Sequence, residues 1–324
     1  MSSTPSVDLD RRFSAWTEPE RAPLDLELFG GRGQEVGWPE ILEKHRVVIL
    51  AEAGAGKSTE MKAQADHLRD GDRFAFVATV QDIGKQGLRA ALIPEIARDY
   101  DAWRASDKTA WFFIDSVDEA RLDNVQLHTA LRNLALGIDG AERRARIILS
   151  GRYTDWDFKA DRETFEEILP VQSHDRPPAP TADALLDHIL RHEELPKTPA
   201  TIKAVVLLMT PLDEARVRLY ATEKGAHDIE AFIAAIEAAN LWRFARRPLD
   251  LSWMVEFWRT HRRLGSLCEM LDASLSKRAA EWNSHRGRDP LDPDGCRAAL
   301  ERTGAALVFG RAKTVAIPTI EISL

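Results

Sequence analysis

Arg46-Val-Val-Ile-Leu-Ala-Glu-Ala-Gly-Ala-Gly-Lys-Ser-Thr59 is the stretch that decides the fold. Val47 to Leu50 is a short apolar, β-branched run, the kind that a parallel sheet buries on both faces. Residues 51–58 fit the phosphate-binding loop pattern, with Ala51 where that pattern prefers glycine. Gly54 and Gly56 let backbone N–H groups wrap phosphate oxygens, with Ala55 between them. Lys57 supplies a point charge for β- and γ-phosphates, and Ser58 a hydroxyl for magnesium. A helix is expected from here, its positive end aimed at the same phosphates. The bland alternative is a glycine-rich turn that caps a helix.

Two further strands end in chemistry. Trp111-Phe-Phe-Ile114 runs into Asp115, followed by Ser116, Val117, Asp118 and Glu119. A carboxylate at a buried strand's C-terminal tip suits magnesium, which keeps several waters and takes few carboxylates. Glu119 is then placed to polarise an attacking water. A solvated acidic turn is the competing reading. Arg146-Ile-Ile-Leu149 leads into Ser150-Gly151-Arg152. In an open α/β sheet an arginine at that edge faces the ligand crevice. On physics alone, Arg152 serves equally as a γ-phosphate sensor or as a surface partner of Asp155 or Asp157.

The acids at the first, fourth and fifth positions of Asp115-Ser-Val-Asp118-Glu119 resemble the NACHT variant of the Walker B motif. The loop ending in Lys57-Ser58-Thr59 resembles the NACHT Walker A motif. NACHT proteins belong to the STAND class of signal-transduction NTPases. Phe244-Ala-Arg-Arg-Pro248-Leu-Asp-Leu251 is similar to the proline motif of that class's helical domain. Asp118 to Leu122 and Ser150 to Trp156 look most like bacterial antiviral STAND ATPases, and the likeness spans about residues 40–285.

The resemblance implies that Lys57, Ser58 and Thr59 bind phosphates and magnesium. Asp115 would be the magnesium acid, Glu119 the hydrolytic base with Asp118 in support, and Arg152 the γ-phosphate sensor. Pro248 would contact the base or fix a lid over it, and Leu28-Phe-Gly-Gly-Arg32 is similar to an element that flanks the base. It also implies an ATP/ADP switch that self-associates in the ATP state and turns on an effector, often in antiphage defence. The effector and sensor regions or partners are expected outside these residues. A P-loop phosphotransferase and a scaffold without turnover are the rivals; the Asp118-Glu119 pair, suited to activating water, argues against the first.

Composition bounds the rest. A chain of 324 residues suggests about two domains. A net charge of −8 argues against broad nucleic-acid binding, which needs a basic surface. Arg143-Arg144 and His261-Arg262-Arg263 are expected on solvated helix faces. Two cysteines, Cys268 and Cys296, are too few for a disulfide framework. The N-terminus lacks a signal peptide's apolar core, and the longest apolar run, Ala204 to Met209, is too short for a bilayer. A reducing cytoplasm is the expected home.

The expected fold class is α/β. Residues 1–40 form a lead-in packed on the core, and 41–175 a P-loop NTPase core with a parallel sheet. Within that core a second strand is expected over 73–80 and helices near 87–105 and 123–136. The prolines of His174 to Pro180 read as a linker. Residues 181–285 form an α-helical domain, with caps expected at Thr181 and Thr210, a stop at Gly225 and a capping box at Ser266-Leu-Cys-Glu269 ahead of Leu271 and Leu275. Residues 286–324 carry a β-like tail expected to open a winged helix.

Overall fold

The computed structural model describes residues 7–16, 35–115, 117, 127–171, 202–285 and 292–309. The chain divides into two compact units, Met1–Thr210 and Pro211–Leu324.

The first unit is built on a six-stranded sheet. Its strands are β1 (Phe13–Ala15), β2 (Arg46–Leu50), β3 (Phe74–Thr79), β4 (Ala110–Asp115), β5 (Ala145–Gly151) and β6 (Val205–Met209), in the order β1-β6-β2-β5-β4-β3. Neighbours from β6 to β3 pair in parallel, and β1 pairs antiparallel to β6. The helices are α1 (Trp38–Leu42), α2 (Lys57–Asp70), α3 (Val80–Gln86), α4 (Pro94–Arg104), α5 (Leu127–Ile138) and α6 (Ala160–Ile168). Strand alternation sends side chains to two cores. Val48, Leu50, Phe112, Ile114, Ile147 and Leu149 pack with Trp103 and Leu131 on one face. Val47, Ile49, Phe113 and Ile148 pack with Met61 and Ala65 of α2 on the other. Every residue of β2 is buried, which explains the unbroken apolar run from Val47 to Leu50.

The lead-in joins this core, since Phe13 on β1 is fully buried and meets Trp38 edge-on at 5.1 Å. The core's expected end near 175 is corrected. Val205–Met209 is a strand beside β2, so the unit continues to Thr210. The strand's side chains alternate between the two cores, Val206 and Leu208 in one and Leu207 and Met209 in the other. The helix expected over 87–105 is Pro94–Arg104, and α3 precedes it, capped by the Thr79 hydroxyl.

Basic side chains occupy the sheet's other edge, where helices end on unpaired carbonyls. Arg46 donates to the Leu169 carbonyl at 3.0 Å, just after α6. Arg144 donates to the Trp103 carbonyl at 2.9 Å and lies over the Trp103 ring. Of the solvated helix face expected of Arg143-Arg144, Arg143 is exposed but sits in a turn, and Arg144 is corrected, because it caps α4. His45, beside this cluster, has its pKa held below 6.5 by burial first, then by Arg146, Arg46 and Arg143. As pH falls through about 6.5 the unfolded chain takes up this proton first, so the fold loses stability on the acid side. His45→Gln should flatten that loss, read as urea midpoints compared between about pH 7.5 and 5.5.

The second unit comprises α7 (Glu214–Glu223), α8 (Ile229–Ala238), α9 (Trp242–Ala245), α10 (Pro248–His261), α11 (Leu267–His285) and α12 (Pro293–Phe309). Its core includes Val217, Phe232, Ile236, Leu251, Met254 and Trp258. Trp258 meets Phe232 at 5.5 Å and donates to the His227 carbonyl, so this tryptophan is a packing residue. Thr210 does not cap a helix; it bonds back to the Arg12 carbonyl, and Asp213 caps α7. Gly225, at φ 79°, comes after that helix as expected. The Ser266–Glu269 capping box forms in both directions, but Met270 and Ser274, not Leu271 and Leu275, are its buried residues. The Thr181 cap and the tail over 314–324 lie outside the described residues.

Candidate functional site

The C-terminal edge of the parallel sheet carries the candidate site. β2 ends at Leu50 and the chain turns through Ala51 to Gly56 into α2. Gly54 and Gly56 sit at φ 77° and 91°, in the left-handed region where a Cβ costs about 1–2 kcal/mol. Gly56 is the N-cap residue of α2 and gives no side-chain cap. The first-turn N–H groups therefore point their partial positive charge toward the loop. Lys57 folds over the same loop and donates to the Ala51 and Glu52 carbonyls at 3.2 and 3.3 Å. Ser58 and Thr59 are exposed on the first turn.

β5 lies between β2 and β4, with Leu50 level with Gly151 and Ile114 level with Leu149. Asp115 is thus two strand positions from the loop strand, about 10 Å away. Alternation from Phe113 and Ile148 puts Asp115 and Ser150 on the face that α2 covers. Ser150 is fully buried and its hydroxyl donates to Asp115 Oδ1. The Ala51 N–H donates to the Gly151 carbonyl at 3.2 Å, which carries the strand pairing one residue into the loop.

Arg152 comes directly after β5 at this edge and is half-buried. Asp157 accepts from the N–H groups of Lys159 and Ala160, so it serves its own turn. Next to Arg152, burial raises the Tyr153 phenol's pKa, and the nearby charge and hydrogen bond of Glu52 add to that. The strand edge after β5 therefore touches the loop after β2.

A second polar cluster supports α2. The Trp38 indole N–H donates to Glu60 at 3.3 Å. Burial raises the Glu60 pKa, opposed by Arg11 and by that hydrogen bond. Arg11 is itself buried and donates to the Thr210 carbonyl at 2.9 Å.

The structure thus brings Gly54, Ala55, Gly56, Lys57, Ser58, Thr59, Asp115 and Arg152 to one sheet edge. Asp118, Glu119 and Leu28 to Arg32 lie outside the described residues. Pro248 belongs to the second unit, where it opens α10. There Arg247 pairs with the buried Asp250 and lies over the Phe244 ring at 5.8 Å. Sequence reasoning assigned no role to Ser150, Tyr153 or Glu52. Their contacts depend on which strands are neighbours, and no local pattern encodes that.

Among the described residues no three His, Cys, Asp or Glu side chains cluster to hold a metal by themselves. Among the described residues no helix is long and apolar enough to cross a membrane.

No protein-family model matches the chain, and no curated protein does. A solved structure described as the cytoplasmic domain of EssC is similar at 12% identity and a TM-score of 0.26. The match covers 70% of this chain and 51% of that one, so the chain spans about half the length of that relative.

Proposed function

We propose that the chain binds a nucleoside triphosphate with magnesium at the C-terminal edge of its parallel sheet and hydrolyses it slowly, as a switch of the NACHT and STAND kind. One observation carries the reading: two left-handed glycines shape a loop between a buried strand and a 14-residue helix, with Lys57 folded across it. ATP as the nucleotide, self-association in the ATP state and an antiphage or signalling output rest on the resemblance of the motifs.

The loop amides and the N-terminus of α2 bind phosphate oxygens, and Lys57 exchanges its two carbonyl partners for a charged one. Magnesium, when bound with the triphosphate, neutralises charge on the phosphates. Ser58 and Asp115 are the residues that would hold it. Glu119, with Asp118 beside it, accepts the proton of the attacking water. Arg152 registers whether a γ-phosphate is there. A switch thrown nearly fully requires about 5.5 kcal/mol of preference between states. Contacts to charged groups supply about 1.5–3 kcal/mol each, so two to four of them suffice.

Lys57→Ala tests the reading. Removing one ammonium contact to a triphosphate should weaken ATP binding roughly 10- to 100-fold, on about 1.5–3 kcal/mol for such a contact. Calorimetry that finds equal affinity in the variant and the parent would contradict it.

A further inference from the structure

We infer that Ser150 is a positioning residue for magnesium, acting through Asp115; this rests on the proposed reading of the site. Ser150 is fully buried among Ile147, Ile148 and Leu149, on a strand whose interior places are otherwise apolar. A hydroxyl in such a place costs stability unless it is bonded. The sheet register explains why it is there. β5 separates the loop strand from β4, and Ser150 is level with Ile49 on one side and, on the other, comes one place after Leu149, which is level with Ile114.

Its hydroxyl donates to Asp115 Oδ1. Asp115 is the last residue of β4 and is half-buried. A carboxylate at a strand tip has two free torsions. Holding one oxygen to β5 restricts both and leaves the other oxygen outside that bond. β5 is also tied to the loop, through the bond from the Ala51 N–H to the Gly151 carbonyl. The residue that orients the acid and the one that anchors the phosphate loop are thus consecutive on one strand.

Outer partners of this type change metal affinity about 10- to 100-fold when removed. The experiment measures binding of a β,γ-imido ATP analogue by calorimetry, first in EDTA and then across a magnesium titration. In Ser150→Ala, affinity in EDTA and the melting temperature should match the parent. The magnesium concentration for half-maximal enhancement should rise about 10- to 100-fold. Ser150→Thr, which keeps the hydroxyl on a β-branched frame, should stay near the parent. A packing role predicts the reverse order, since alanine suits this core better than a hydroxyl does. An unchanged magnesium midpoint in Ser150→Ala overturns the assignment, as does a threonine variant that fails along with alanine. If the parent's own affinity ignores magnesium, the reading of the whole site falls first, and that result differs from both.

Discussion

Glu119→Gln should lower ATP turnover about 10²- to 10⁴-fold, the usual contribution of a positioned general base, while magnesium-dependent ATP binding persists. The assignment comes from the resemblance of Asp115-Ser-Val-Asp118-Glu119, and the described residues around it give it a frame. Asp115 shares a face with Phe113, under α2. Alternation would put Val117 there too, yet Val117 is buried in the opposite core with Leu127 and Leu131. Val117 therefore does not continue the alternation of β4, so one residue of the motif is committed to the crevice edge and another to the core. Glutamine keeps the size of the side chain and removes the basicity. Phosphate release assayed beside analogue binding separates the two effects. Equal turnover in the variant removes Glu119 from the base role, and a phosphorylated small-molecule product would favour a phosphotransferase.

Arg46→Ala should destabilise the first unit by about 3–5 kcal/mol, a loss typical of breaking a buried charged network. Arg46 is 2% exposed. It donates to the carbonyls of Leu169 at 3.0 Å, Ala145 at 2.7 Å and His45 at 2.9 Å, and reaches Glu142 at 3.4 Å. These belong to the end of α6, the starts of β5 and β2, and the turn before β5. Burial lowers its pKa to about 10, opposed by Glu142, so it stays cationic at neutral pH. Alanine would leave a cavity and take a partner from each of these carbonyls; His45 keeps the Ile147 N–H, and each buried group left without any partner costs about 1–3 kcal/mol. Since whole domains are stable by about 5–15 kcal/mol, the urea midpoint should fall steeply. Arg46→Lys should recover only part, because an ammonium lacks the planar fork that serves several carbonyls at once. A loss under about 1 kcal/mol for alanine would show that solvent or a shifted backbone replaces those bonds.

The parts of this molecule that could be read in advance were those with a local cause. The apolar runs at β2, β4 and β5 announced strands, and Gly54 and Gly56 announced the loop between β2 and α2, where both hold left-handed backbone. The Ser266–Glu269 capping box is encoded within four residues and formed. Val205–Met209 was harder, because a short apolar run after a polar, proline-rich stretch looks alike whether it opens a helix or closes a sheet. Tertiary pairing with β2 settles it. Arg11 and Arg46 gave no warning of burial, nor Arg144 of its capping role, since an arginine's partners here are carbonyls distant in sequence. The bond from Ser150 to Asp115 was hidden for the same reason.

The central strand β2 receives its flanking neighbours late: β5 from the middle of the unit and β6 from its end. During synthesis its backbone edge stays unpaired until Met209 has emerged, a state prone to wrong pairing between chains. Fragments of this protein therefore have a natural length. One that stops after α6 keeps every motif of the phosphate loop yet leaves that edge open, and one that reaches Thr210 closes it.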